Sequence, residues 1–287
     1  DGQRCGYLQV TEDSETLDYL KQFADCDLPF RVLNAEKASD ELGAPLTQDA
    51  LFFPDASWLH PAAVCRERLS HSRIQLHEFC GNCDFGSSTA GWQINDSLGN
   101  RYDSDMLVLA TANQLTEASE TAWLPLQTIR GQTTHVPATE SSSGLRTAFC
   151  HEGYLAPPRL GVHCLGATYG PQDTALDERP ADHRINLQKL ASALPSVSFP
   201  TTEAAISGHV ALRCTTTDYL PVVGPVPNRA AFNACYASLK AKKTRFIDQE
   251  CPTMPGLFVL AGLGSRGLTA GPLAAEILVS DIMGEPS

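Results

Sequence analysis

The sequence predicts an α/β (α+β) protein in which two domains are threaded through each other. Two observations carry this expectation. The segments MLVLATAN (106–113) and GLFVLA (256–261) are continuously apolar, as expected for strands buried on both faces of a parallel sheet. Most of the remaining chain instead alternates short apolar and polar runs bounded by Gly, Pro and Asn, the pattern of antiparallel strands. At 287 residues the chain is long enough for two cores. No repeat, low-complexity tract or clean linker divides it. The expected division places 1–70 and 119–210 mainly in the antiparallel-sheet domain, and 71–118 with 211–287 in the other.

Taken in order, CGYLQV (5–10) reads as a strand. SETLDYLKQFADC (14–26) carries Leu17, Leu20, Phe23 and Ala24 at helical spacing, with Ser14 as a candidate N-cap. Asn34 caps a second helix ending at Leu42. ALFFP (50–54) is a strand stopped by proline. His60 and Pro61 open a helix to about Ser70, because proline is favoured in a first turn whose N–H has no intrahelical partner. RIQLHEF (73–79), GWQIND (91–96) and NRYDSD (100–105) read as successive strands, with SLGN turning between the last two. LQTIRGQTTHVP (126–137) is another strand, GYLAPPRLGVHCLGATYG (153–170) a hairpin turning at PPRLG, and DHRINLQKLASALP (182–195) an amphipathic helix. HVALRCTTTDYLPVVGPVP (209–227) reads as a strand entering a rigid proline-rich loop. Residues 230–250 read as a polar, basic insertion, and LKAKKTR (239–245) within it as a solvated face.

The net charge of −12, from 33 acidic against 21 basic residues, argues against nucleic-acid binding by this segment alone. No apolar run is long enough to span a bilayer, so no membrane partner is expected. The chain opens on Asp1 without a secretory pattern, and is expected to be a cytoplasmic segment of a longer protein. Ten cysteines at irregular spacing suggest reduced thiols rather than a disulfide framework. Cys80 and Cys83 in FCGNCDFG are the pair to weigh. They lack the second pair or the histidines of a zinc site, and no helix follows them as in a thioredoxin-like motif, so they are expected to be two thiols in a hairpin loop.

LFVLAGLGSRGLTAGPLAAEIL (257–278) contains Gly262, Gly264 and Gly267 in the spacing G-x-G-x-x-G, after an apolar strand and before a helix. A dinucleotide-binding start also needs a second strand after the helix, and SDIMGEPS supplies none. A nucleophile elbow around Ser265 fails because Leu263 stands where its first glycine belongs. A tight strand-to-helix turn would satisfy the glycines. Three details point beyond it. Thr269 is a candidate cap and Pro272 a first-turn proline. Leu273, Ile277, Leu278 and Ile282 form an expected buried stripe that would aim the helix N-terminus outward. Arg266 sits in the middle of the loop. A helix N-terminus so placed suits an anion or an atom that becomes one.

With CGYLQV, ALFFPDASWLHP, RGQTTHVP, GYLAPP, HCLGATY, RCTTTDYLPVVGPVP and GSRGLTAGPLAAEIL in this order, the sequence resembles the D-amino-acid-oxidase-like FAD oxidoreductases over nearly its whole length. Within them it is similar to the oxidoreductase domain of bifunctional enzymes that modify the tRNA wobble uridine. RCTTTDYLPVVG and LGSRGLT are the specific pieces. The family's LANG stands here as ATAN (110–113), a departure near the ribose end of the cofactor. The resemblance implies a D-amino-acid-oxidase-like FAD-binding fold with an antiparallel-sheet substrate domain. The N-terminal βαβ unit that carries the family's pyrophosphate glycines is expected to lie before Asp1, after a fused methyltransferase domain that uses S-adenosylmethionine. The segment alone is accordingly expected to bind FAD poorly.

The implied reaction is oxidation of a carboxymethylaminomethyl group on the wobble uridine, with tRNA as substrate and its grip supplied from outside this segment. The flavin takes a hydride from the methylene carbon, and hydrolysis of the imine releases glyoxylate and leaves aminomethyluridine. A glycine-like carboxylate calls for planar bidentate donors, and Arg213 and Arg266 stand in the matching motifs, where relatives with small substrates grip a carboxylate. Tyr154 is a candidate third donor; an ion pair for Arg213 and simple packing for Tyr154 are the structural alternatives. Gly262, Leu263, Gly264, Ser265, Gly267, Leu268 and Thr269 are the expected cofactor loop. Arg130, Gly131 and Gln132 are expected to line the other side, unless RGQ is only a strand irregularity. No metal and no histidine base is implied; His135, His163 and His209 read as satisfied strand residues, and Asp218 as a turn residue. A small-amine oxidase of glycine or sarcosine type and a cofactor-free, inactive segment are the other readings.

Overall fold

The computed structural model describes residues 2–285 apart from 11–13, 23–28, 90, 201 and 241–245. The expected apolar face at Leu17 and Phe23, the cap at Ser14 and most of LKAKKTR lie outside the residues and side chains so described. The chain forms two compact units, Asp1–His71 with Arg130–Ala211, and Ser72–Ile129 with Leu212–Ser287. The chain passes from one unit to the other three times: after His71, in a turn, and inside the long strands Leu126–Pro137 and Ser207–Thr216.

The first unit is built on a nine-stranded sheet. Its order is Gly170–Pro171, Leu126–Pro137, Val162–Gly166, Tyr154–Leu155, Ala148–Cys150, Tyr7–Val10, Ala50–Phe53 and Arg31–Leu33, with Ser207–Thr216 pairing Leu126–Pro137 off this path. Neighbours run antiparallel wherever their register is resolved, except Ala148–Cys150 beside Tyr7–Val10, which is parallel. The hairpin turn falls at Leu160 (φ 52°) and Gly161 (φ 77°), a two-residue turn with both centres left-handed, as the right-handed strand twist prefers. Helix Ala35–Leu42 begins at Asn34, whose side chain accepts from the Lys37 N–H at 3.0 Å, and ends at Gly43 (φ 85°). Helix Pro61–Leu69 begins at His60, whose Nδ1 accepts from the Ala63 N–H. Leu8, Leu42, Phe52, Val136, Phe149, Leu155, Leu165, Leu190 and Leu194 form the core.

His163 is fully buried and satisfied, by the Ala156 carbonyl at 2.8 Å and the Ser142 hydroxyl at 3.0 Å. His151 is different. Both of its ring nitrogens are buried without a hydrogen-bond partner among the described residues, and its ring stacks on Phe149. Desolvation, reinforced by Lys189, pulls its pKa from 6.5 down to about 4. Between those values the unfolded chain holds a proton that the folded chain does not, so stability falls as pH drops through this window. We expect wild type to lose on the order of 2 kcal/mol from this group between pH 7 and pH 4. His151→Phe is expected to remove that part of the acid limb. Urea unfolding of both proteins at the two pH values measures it, and parallel acid limbs would contradict it.

The second unit carries a three-stranded sheet ordered Val222–Pro227, Thr253–Ala261, Leu107–Leu109 and a three-stranded meander of Cys83–Ser88, Gly91–Asp96 and Arg101–Ser104. Thr253–Ala261 runs parallel to Leu107–Leu109, as two continuously apolar segments suggest. The buried core gathers Trp92, Leu107, Leu109, Leu115, Leu124, Val226, Leu257, Val259 and Ala261. Trp92 Nε1 donates to the Pro255 carbonyl at 3.0 Å and so anchors the meander to the sheet.

Four sequence expectations are corrected here. RIQLHEF forms no strand; Ile74, Leu76 and Phe79 are exposed, and the meander starts instead at Cys83, because no strand edge pairs with 73–79 among the described residues. VVGPVP is a strand rather than a loop; it sits at a sheet edge, where the missing N–H of Pro225 is tolerated. Leu107–Leu109 is buried on one face only, with Val108 exposed. The stripe on the last helix is narrower than expected, with Ala274 and Leu278 buried and Leu273 and Ile277 exposed. No helix among the described residues is long and apolar enough to cross a membrane.

Candidate active site

The glycine loop joins Thr253–Ala261 to the helix Gly267–Met283, all within the second unit. Gly262 (φ 74°) and Gly264 (φ 54°) are left-handed, where an L side chain is strained. A Cβ on Gly262 would stand 2.9 Å from Thr216 Cγ2, and one on Gly264 3.3 Å from Thr215 Oγ1. The loop is drawn onto the Ser207–Thr216 strand by the Gly264 N–H, which donates to the Cys214 carbonyl at 2.8 Å, and by the bridge between Thr215 and Leu263. Thr215 and Thr216, both buried, are therefore what demand the first two glycines. Their only signal in the sequence is the TTT run, which reads equally as an ordinary strand.

Gly267 is under neither demand. Its backbone is not left-handed, and a Cβ there meets open space. Ser265, Arg266, Gly267, Leu268 and Thr269 form an uninterrupted exposed run at the helix N-terminus. The helix starts at Gly267, two residues before the expected cap. Thr269 thus lies inside the first turn, its hydroxyl donating back to the Arg266 carbonyl at 3.1 Å, and Pro272 lies in the helix interior. No side chain caps this terminus. The Gly267 and Leu268 N–H groups therefore belong to a first turn with no preceding intrahelical carbonyl, at the positive end of a 17-residue helix. Arg266 is exposed and has no ion-pair partner among the described residues.

Arg213 is half-buried on the strand beside this loop, one residue before the carbonyl that holds Gly264. The period-2 geometry of a strand puts it on the same face as Thr215, the residue that fronts Gly264. The strand thus brings Arg213 and the Arg266 loop onto adjacent elements. Asp218 is a turn residue: its Oδ1 accepts from the Leu220 N–H at 3.1 Å and the Thr216 hydroxyl at 2.9 Å, which holds its carboxyl pKa below the usual range. Asn113 of ATAN accepts from the Thr128 hydroxyl and donates to the Leu212 carbonyl.

The remaining candidates lie in the first unit. Tyr154 is partly exposed, with its hydroxyl 3.9 Å from Cys164 Sγ. Arg130 and Gln132 are engaged by partners within the protein. Arg130 is buried, pairs with Asp182, and donates to the Ala175, Asp177 and Gln132 oxygens. The Gln132 amide donates to the Arg179 carbonyl at 2.9 Å and accepts from the Arg179 N–H at 2.8 Å. Gly131 between them is buried within the strand. The Arg130 and Gln132 side chains thus brace the sheet against helix Pro180–Ala193 and the segment before it. The sequence carried no sign of their partners 45 to 52 residues away.

The loop geometry gives a direct test of the two kinds of glycine. Gly262→Ala is expected to lower stability by roughly 1–3 kcal/mol through backbone strain and the approach to Thr216. Gly267→Val is expected to leave the melting temperature within a degree or two yet weaken cofactor retention, because its side chain enters the open space before the helix. Thermal unfolding, and bound-flavin content of the full-length protein, separate these outcomes. A Gly267→Val protein that holds its flavin normally would contradict the assignment.

The family model described as "FAD dependent oxidoreductase" matches residues 1–280. The tRNA 5-methylaminomethyl-2-thiouridine biosynthesis bifunctional proteins MnmC of Stutzerimonas stutzeri and Chromobacterium violaceum are 36% and 37% identical, each over the whole of this chain. The chain spans less than half the length of those relatives, 44% and 45%. Among solved structures, glycine oxidase from Geobacillus kaustophilus superposes with a TM-score of 0.75 at 18% identity, covering all of this chain and 72% of that one. Iminodiacetate oxidase from Chelativorans sp. BNC1 gives 0.72 at 19%, covering all of this chain and 74% of that one. The family model's match along nearly the entire sequence establishes that this chain belongs to the FAD-dependent oxidoreductase family.

Proposed function

We propose that this chain is the oxidase portion of a bifunctional tRNA-modifying enzyme. It would oxidise the carboxymethylaminomethyl group of the wobble uridine, releasing glyoxylate and leaving aminomethyluridine. The supporting observation is the Ser265–Thr269 run with Arg266 in it and Arg213 on the neighbouring strand, in a chain about one-third identical throughout to proteins named for that modification. Bound FAD supplies the two-electron oxidising capacity that such a C–N bond requires.

The protein's own residues have three tasks. Leu263–Thr269, with Gly262, would hold the cofactor ring, the first-turn N–H groups favouring the negative charge it gains on reduction. Arg213 and Arg266 would take the substrate carboxylate in planar, bidentate contacts. A neutral secondary amine needs no side-chain base, and water completes the reaction by adding to the imine. The acidic net charge of −12 supports a tRNA grip outside this segment, which a fused methyltransferase portion would share.

The second reading, a small-amine oxidase, is favoured only by the fold likeness to glycine oxidase. An anaerobic experiment on the full-length protein separates the two. Its flavin absorbance is expected to bleach on adding tRNA that carries the carboxymethylaminomethyl group, and to persist with sarcosine or glycine. Bleaching by the small amines alone would favour the second reading.

A further inference from the structure

We propose that Cys80 and Cys83 are a dithiol that small disulfide oxidants convert to an intramolecular disulfide. The two residues are held on neighbouring positions of a single turn. The Cys80 carbonyl accepts from the Ser97 N–H at 3.1 Å and from the Ser97 hydroxyl at 2.8 Å. Cys83 opens the strand Cys83–Ser88 and pairs with Asp96, the residue beside Ser97. Between the cysteines the chain bends through Gly81, whose φ of 68° is open to glycine at little strain. Both cysteine backbones are thus anchored on adjacent residues of one turn, and a disulfide between them needs their Cα atoms within about 7 Å.

Neither cysteine is buried, and the Cys80 thiol also interacts with the Tyr102 hydroxyl. Cys83 is exposed and Cys80 half-buried, and each thiol rests 3.8 Å from a carbonyl, of Gly81 and Glu78 respectively. The other polar groups here are Asp84, Asp96 and Tyr102, whose hydroxyl donates to Asp96, with the His77 ring edge-on to Tyr102. No group of three or more His, Cys, Asp or Glu side chains among the described residues is placed to hold a metal ion, so the pair is left to two-thiol chemistry.

In the first step one cysteine thiolate attacks the oxidant RS–SR and expels RS⁻, leaving a mixed disulfide. The second thiolate then attacks the protein sulfur of that mixed disulfide and expels another RS⁻. Two protons pass from the cysteines to the two leaving thiolates. The protein pair is oxidised by two electrons, and the oxidant is reduced to two RSH. Desolvation, then the charges of Cys80, Asp96 and Asp84, raise the Cys83 pKa. The reaction therefore depends on a thiolate scarce at neutral pH, and its rate rises about tenfold per pH unit below that pKa.

Trypsin isolates the pair cleanly, because the peptide 74–101, between Arg73 and Arg101, holds Cys80 and Cys83 and no other cysteine. The whole chain is treated with oxidised glutathione, its free thiols are alkylated, and this peptide is read by mass spectrometry. The expected product carries no alkyl group and no glutathione, is two hydrogens lighter than the reduced peptide, and forms faster at alkaline pH. Cys80→Ser is expected to stop at one glutathione on Cys83. A wild-type peptide that also stops at mixed disulfides would overturn the proposal. So would one that stays fully alkylatable while the exposed Cys65 is glutathionylated.

Discussion

Arg266→Ala and Arg213→Ala, each made in the full-length protein, are expected to lower kcat/KM for release of glyoxylate by roughly 10²–10³. A hydrogen bond to a charged group is worth about 1.5–3 kcal/mol, and a planar guanidinium gives a carboxylate two of them. Arginine is specified, not positive charge alone, so Arg→Lys variants are expected to recover only part of the loss. The two positions differ in what else they risk. Arg266 is exposed, so its removal should leave folding intact, whereas Arg213 is half-buried on a strand. Equal melting temperatures with a large loss of turnover in Arg266→Ala would isolate the substrate role. Unchanged glyoxylate release in both alanine variants would remove the carboxylate clamp.

Arg130→Ala is expected to destabilise the protein by about 3–5 kcal/mol, a large fraction of the 5–15 kcal/mol typical of a folded domain. The loss comes from what stays behind. Asp182 keeps a mostly buried carboxylate without its partner, and the carbonyls of Ala175 and Asp177 lose their donors. Arg130→Lys keeps a charge but cannot reach all of these acceptors at once, and should fall between. Chemical denaturation measures both. A stable Arg130→Ala protein that had lost its flavin would contradict the bracing role and restore the sequence-based expectation of a cofactor contact.

Local signals in the sequence survived well where one turn of chain decides the outcome. Asn34 and His60 cap the helices they precede, Leu160-Gly161 makes the hairpin turn, and Asp218 closes its own turn. That Leu107–Leu109 and Leu257–Val259 run as parallel-sheet strands was legible in their unbroken apolar runs; that they pair with each other was not. Features set by distant partners were not. Alternation in RIQLHEF describes a strand, but a strand also needs an edge to pair with, and none is offered among the described residues. Proline in VVGPVP argues against a central strand only, and the sheet order that places it at an edge is a long-range fact. The glycine spacing located a strand-to-helix turn. It could not distinguish glycines required by Thr215 and Thr216 from Gly267, which faces open space. Arg130 and Arg266 looked alike as letters; burial against Asp182 separates the brace from the exposed donor.

The central claim is a reaction, and its products test it most directly. Full-length protein with bound FAD is incubated with tRNA carrying the carboxymethylaminomethyl group, without S-adenosylmethionine. Glyoxylate and the wobble nucleoside are then quantified in the same sample. One glyoxylate is expected for each carboxymethylaminomethyluridine converted to aminomethyluridine. An unchanged nucleoside, or conversion without glyoxylate, would contradict it.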